Sequence, residues 1–231
     1  MRSFIRYLEG NNLKLAIFDI CGTLYFDNTT YSFLCWLSNK GIIKYNKKIM
    51  DAPYILRAIN ALSSTLFCKD YYRELQIKQL SGLSYEVINK LAADFVEELN
   101  EKRISSTNNL LDEYRRKGYT IVLASATIEP LARAIAKKIG VDYFSSEVEF
   151  VNEQCSGKLN RDLLFFKKEA LLHLIKKSEN IVIVTDNFTD LELIQVSDYC
   201  HIVVRNDKDI RKWNKQLKNH LCNIVFIKKN V

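Results

Sequence analysis

Proline and glycine are scarce in this chain of 231 residues, at two and seven. That scarcity argues against a long linker between separate domains. There is no internal repeat and no low-complexity tract. No stretch approaches the roughly 18 consecutive apolar residues of a membrane span. Glu9, Asn11, Asn12 and Lys14 interrupt every apolar run near the start, so no secretory leader is expected there. The six cysteines, at 21, 35, 68, 155, 200 and 222, show no CxxC spacing and no paired histidines. Neither a zinc site nor a redox motif is expected from them. Scattered among apolar residues, they fit reduced thiols of a cytoplasmic protein.

What is present is apolar and basic. The hydrophobic fraction is 48%, with 12 Tyr and 12 Phe, enough for a sizeable core. The net charge of +7 comes from 34 Lys and Arg against 27 Asp and Glu. Those basic residues spread along the chain, which reads as a lysine-rich soluble surface rather than a nucleic-acid or membrane face. Oligomeric state is left open.

Short apolar runs rich in β-branched and aromatic residues recur at Leu15–Ile20, Tyr119–Ala124, Tyr143–Val148, Ile181–Thr185, His201–Val204 and Ile224–Ile227. Helical patterns lie between them from the second run onward. The clearest is Glu129–Ile139, with Pro130 in its first turn and Gly140 just past its end. Lys167–Lys177 carries Leu171, Leu172, Leu174 and Ile175, and Asp209–Leu221 carries Ile210, Trp213, Leu217 and Leu221. Alternating strands and helices predict an α/β fold, a parallel sheet covered by helices on both faces. Between the first two strands only helices are indicated, over Thr29–Lys40, Met50–Leu66, Asp70–Leu80 and Ser84–Asn100. A crossover needs about a dozen residues, so 28–105 is predicted to be an inserted helical cap on a core of 1–27 and 106–231.

Four polar features fall at strand ends or helix starts, in a fixed order. Asp19 follows the first strand in "IFDICGTLYFD", with Gly22 and Thr23 forming a turn. Ser125 ends the second strand in "VLASATIEP". Lys168 opens "KEALLHLI", with Lys167 beside it as the rival, and Asp186 and Asp190 follow the fourth strand in "IVIVTDNFTD". Singly, each has an ordinary explanation: a helix cap, a solvated lysine, a first-turn carboxylate. Together they suit phosphoryl transfer. A carboxylate attacking phosphorus must overcome repulsion from a phosphate dianion. Magnesium held by Asp19 and Asp186 would neutralise that charge. Lys168 would add a second cation, Ser125 a hydroxyl donor, and the Cys21–Thr23 backbone the rest of a cradle. Asp190 would support metal-bound water or the lysine.

With "FDICGTL", Ser125, Lys168 and "TDNFTD" in this order, the chain resembles the haloacid dehalogenase (HAD) superfamily. Within it, the cap opening "TTYSFLCWL" and the C-terminal segment resemble the phosphoserine-phosphatase-like branch. The resemblance extends from Lys14 nearly to the C-terminus. It implies a Rossmann-like core with a helical cap, magnesium, a small phosphorylated substrate and a phosphoaspartate on Asp19. It also implies catalytic roles for Asp19, Cys21, Ser125 and Lys168. Phosphate binding falls to Gly22, Thr23, Ser125, Ala126 and Lys168. Metal binding falls to Asp19, Asp186 and the Cys21 carbonyl, with Asn187 and Asp190 in support.

Two positions depart from that branch. Thr189 stands where its phosphatases usually have Asn. Cys21 stands where they have the aspartate that protonates the leaving group and then activates water. Losing a general acid-base costs about 10²–10⁴ in rate. A slow phosphatase is therefore the first reading, with activated phosphates the tolerant substrates. A phospho-ligand binder without turnover is the second, and a metal-independent dehalogenase the third. Asp186 and Asp190 argue against the last, because that reaction needs no metal. In the cap, Asn28, Thr29, Tyr31 and Arg57 are candidates for substrate contact.

Overall fold

Strand β1, Leu13–Phe18, shows how the core is laid out. Side chains alternate along a strand. Ala16 and Phe18 therefore join one buried apolar cluster, while Leu15 and Ile17 join another on the opposite face. The same alternation divides Ile121 and Leu123 from Val122 and Ala124 in β2, Thr120–Ile128. A strand buried on both faces needs a near-continuous apolar run and helices on either side.

The structure, a computed structural model, describes residues 12–44, 70–218 and 222–229. Within them β3 spans Asp142–Val151, β4 Gln154–Arg161, β5 Ser178–Thr185, β6 Tyr199–Val204 and β7 Asn223–Lys228. The sheet order is β4-β3-β2-β1-β5-β6-β7. All neighbours are parallel except β3 and β4, which pair antiparallel. In such a sheet the loops following β1, β2 and β5 converge above its centre.

One face is covered by α1 (Thr29–Asn39), α3 (Tyr85–Leu99), α4 (Ser105–Arg116) and α5 (Glu129–Ile139). The other is covered by α6 (Lys167–Ile175), α7 (Leu191–Ile194) and α8 (Asp207–Gln216). Helix α2, Tyr71–Ile77, precedes α3 and packs beside β4. This is a Rossmann-like α/β fold. Helix α5 starts with Pro130 in its first turn and stops at Gly140, whose φ of 75° lets its N–H reach the Ala136 carbonyl at 2.8 Å.

Helices α1 and α3 meet through Phe33 and Trp36 against Phe95, at ring distances of 5.4 and 5.7 Å. Phe33, Leu37, Ile88 and Phe95 belong to the same buried cluster as Ala16 and Phe18 of the sheet. The predicted helix at Met50–Leu66 lies outside the described residues, as does Arg57.

Two elements are absent from the sequence reading. Strand β4, "QCSGKLNR", is mostly polar and lacks the expected alternation. Its place is set by the tight turn at Asn152 and Glu153, both at positive φ (49° and 64°), which returns the chain antiparallel on β3. Helix α4 has few apolar residues; its buried Thr107 and Asn108 instead donate to the Thr23 and Leu24 carbonyls at 2.6 and 3.0 Å. Strand β2 also runs beyond its predicted end at Ala124. Ser125 pairs with Ser145 before the register breaks.

Candidate active site

Asp19 leaves β1 with its N–H bonded to the Val184 carbonyl at 2.9 Å and a side chain only 4% exposed. Burying a carboxylate without a partner is costly. The partner is Lys167, whose Nζ lies 3.2 Å from Asp19 Oδ1 and 2.8 Å from Asp190 Oδ1. Thr185 Oγ1 also donates to Asp190 Oδ2 at 2.6 Å. Burial works to lower the Lys167 pKa, but Asp19 and Asp190 together outweigh it and hold the amine protonated. Burial also raises the Asp190 carboxyl, against the pull of Lys167.

The lysine in the site is Lys167, which corrects the choice of Lys168. Successive helical residues point about 100° apart, so only one of the two can face the sheet. Lys167 lies on the stripe of Leu171 and Leu174, both buried, whereas Lys168 is half-buried and lies toward the exposed Leu172. The spacing 167, 171, 174 is the i, i+4, i+7 core stripe.

Asp186 follows β5 directly and meets the loop after β1. Gly22 has φ +69°, and a Cβ added there would lie 2.0 Å from Asp186 Oδ2. Only glycine allows this approach. Thr23 Oγ1 lies 3.4 Å from Asp186 Oδ1. Burial first, and then Asp19, raises the Asp186 carboxyl, while Lys229 lowers it from 3.0 Å. Lys229 has no place in the sequence reading.

Cys21 sits in a hydroxyl cluster. Its Sγ lies 3.1 Å from Thr29 Oγ1 and 3.2 Å from Thr127 Oγ1, and the Thr29 N–H points to it at 3.4 Å. Thr29 and Thr127 are 2.8 Å apart, and Ser125 Oγ is 3.1 Å from Thr127 Oγ1. Burial, and then the Asp19 charge, pushes the Cys21 thiol up, so it stays a thiol near neutral pH. Thr127 is a further residue the sequence reading missed; it lies two positions beyond Ser125, one turn of extended chain away.

The remaining expected residues have defined places. Ala126 accepts from Arg73 Nη2 through its carbonyl, and Arg73 Nε also pairs with Asp162 Oδ2 at 3.2 Å. Asn187 caps the following turn, its Oδ1 accepting from Thr189 N at 3.1 Å. Asn28 caps α1 by accepting from Tyr31 N at 3.1 Å, and Tyr31 packs against the cluster under that helix. A cavity of about 390 Å³ opens beside Asp186, lined also by Cys21, Gly22, Asn28, Arg205 and Lys229.

The oxygen donors fit a hard divalent ion. Asp19 Oδ1 is buried, with an ionic neighbour but no directed hydrogen bond, and Gly22 clears the space around the Asp186 carboxylate. Among the described residues no three His, Cys, Asp or Glu side chains form a metal cage. A magnesium that keeps several waters and takes one or two carboxylates does not need one.

The family model described as "haloacid dehalogenase-like hydrolase" matches residues 16–195, from inside β1 to just past α7. The chain belongs to that family. Its relatives in structure agree on the HAD fold. A protein of unknown function from Bordetella pertussis Tohama I superposes with a TM-score of 0.71 at 13% identity, covering 93% of this chain and 98% of its own. A phospho-aspartyl intermediate analogue of phosphoserine phosphatase gives 0.61 at 14% identity, covering 95% of each chain. A phosphoserine phosphohydrolase-like protein from Francisella tularensis subsp. tularensis SCHU S4 gives 0.60 at 15%, covering 92% and 95%. No curated protein matches the chain. Among the described residues of this HAD member, no helix is long and apolar enough to cross a membrane.

Proposed function

We propose that the chain is a phosphatase for a small phosphorylated metabolite, slow on ordinary monoesters because Cys21 replaces the usual acid-base. The observation that carries this reading is the Asp19–Lys167–Asp190 pairing at the head of β1: a buried carboxylate faces a fixed ammonium where an incoming phosphoryl group would sit. Asp19 attacks phosphorus and its oxygen forms the new P–O bond. The bond to the leaving oxygen breaks, and that oxygen departs with the electron pair. Lys167, the Ser125 hydroxyl and the amides of Gly22 and Thr23 offset charge on the phosphoryl oxygens. Water then attacks the same phosphorus, losing its proton to solvent since Cys21 offers no carboxylate, and the bond from phosphorus to Asp19 breaks to release inorganic phosphate and the free carboxylate. Asp19, Asp186 and the Cys21 carbonyl would hold magnesium, which when bound supplies further neutralisation of the phosphate.

In both steps Cys21 is the weak point. Its thiol is held by two threonine hydroxyls and kept protonated, so it offers little as a base toward water. Leaving groups that need no proton, such as acyl or anomeric phosphates, suffer least. That cluster also favours the second reading, a phosphate binder without turnover, because it fixes the thiol where a carboxylate would have to move protons. The free thiols of Cys21, Cys35, Cys155, Cys200 and Cys222 suit a reducing cytoplasm.

The test is a panel of phosphorylated metabolites with magnesium, run on the parent and on Cys21→Asp. We expect monoester hydrolysis to rise at least about tenfold in the variant, with a smaller gain as the leaving group becomes more acidic. Brisk parent turnover of alkyl phosphates, unchanged by the substitution, would mean that another residue moves the proton. Parent protein that binds vanadate yet turns over nothing, even with Cys21→Asp, would favour the binder.

A further inference from the structure

Lys229 follows β7 and ends up against Asp186. Its placement is not a loop accident. The β6–β7 ladder pairs Val204 with Lys228, and the Lys229 N–H donates to the Val204 carbonyl at 2.9 Å. The sheet therefore fixes the backbone from which the side chain extends. That side chain is only 9% exposed, and its Nζ lies 3.0 Å from Asp186 Oδ2. The same oxygen is the one that Gly22 makes room for.

Three carboxylates, Asp19, Asp186 and Asp190, meet two ammonium groups in this region. Lys167 serves Asp19 and Asp190, which leaves Asp186 to Lys229. We infer that Asp186 carries a cation site with an internal occupant, the Lys229 ammonium, and that a divalent ion gains this carboxylate by displacing it. The inference rests on the reading of Asp186 as a metal ligand made above. Magnesium approaches a carboxylate oxygen to about 2.0–2.1 Å and demands near-octahedral geometry. An ammonium at hydrogen-bond distance from that oxygen repels the ion and occupies part of its shell. The cavity beside Asp186, which Lys229 itself lines, gives the displaced side chain open space, although Arg205 and Lys212 share its wall and Asp209 there is already paired with Arg205 at 3.1 Å. The consequence is a site whose charge is largely balanced without metal and whose divalent affinity is held down by its own chain.

The experiment is a Mn²⁺ titration of the full chain, following free ion by electron paramagnetic resonance. It compares the parent with Lys229→Met, Lys229→Gln, Lys229→Arg and Asp186→Asn, each checked for folding by circular dichroism. Removing the competing charge should tighten Mn²⁺ binding by about fivefold to a hundredfold, the usual span of coupling between two ligands. Lys229→Arg should stay near the parent, and Asp186→Asn should weaken binding strongly. The glutamine variant carries the same expectation as methionine should the latter fail to fold. If Asp186→Asn weakens binding but neither neutral variant tightens it, the inference falls and the metal-site reading stands. If Asp186→Asn binds like the parent, or no protein binds Mn²⁺, the site reading falls and takes the inference with it.

Discussion

At the scale of single residues, the two adjacent lysines of α6 make the sharpest contrast. Lys167 touches both Asp19 and Asp190, whereas Lys168 is half-buried on the side of the exposed Leu172. Lys167→Ala should weaken vanadate binding by about 10- to 100-fold, as loss of a charged hydrogen bond worth about 1.5–3 kcal/mol requires. Lys168→Ala should leave it near the parent value, and isothermal titration of both variants checks the pair. His201 offers a second contrast, in pH. Its Nε2 meets Tyr114 Oη at 2.7 Å, and burial lowers its pKa below the ordinary 6.5. The unfolded chain then binds a proton that the folded chain resists. Stability from this group is present above about pH 6.5 and is lost as pH falls through that value toward the lower folded one. Urea midpoints at pH 7.5 and 5.5 should differ less for His201→Gln than for the parent, and equal differences would remove His201 as the source.

Among the elements, α2 is tied down by charge as much as by packing. Asp70 caps it, and buried Arg73 spans from it to Ala126 and to Asp162, which also accepts from Ser146 at 2.9 Å. This one guanidinium joins α2 to the end of β2 that carries Ser125 and Thr127. Arg73→Ala should destabilise the chain by about 1–3 kcal/mol, because it leaves the Ala126 carbonyl and Asp162 Oδ2 without the Arg73 donor. Arg73→Lys should restore little, since an ammonium cannot present the same planar fork. Chemical denaturation monitored by far-UV circular dichroism measures both.

For the whole molecule, the question is whether 28–105 behaves as a separate cap. We propose that it does not unfold separately. Phe33, Leu37, Ile77, Ile88 and Phe95 from that segment share one buried cluster with Phe18, Leu123 and Leu131 of the sheet and α5. A shared core couples the stabilities of the parts it joins. Calorimetry should therefore record one transition with equal calorimetric and van't Hoff enthalpies. Two resolved transitions would instead mark the insert as an independent unit.

The sequence alone determined the class of the fold. Buried parallel strands must be apolar runs, so Leu15–Phe18 and Ile181–Val184 announce themselves, and Asp19 and Asp186, which follow such runs, must sit at strand ends. Pro130 and Gly140 bounded α5 for reasons local to the backbone. Tertiary structure decided whatever depends on direction or on distant partners. Strand β4 is held by its hairpin turn rather than by its own pattern, and α4 by polar contacts with the loop after β1. Which of two lysines enters the site depended on helix rotation against the sheet. Thr127 beside Cys21, and Lys229 beside Asp186, were brought in across 106 and 43 residues of chain. A hydrogen bond or an ion pair leaves no period in the sequence; it exists only once the packing of the sheet and its helices has brought both ends together.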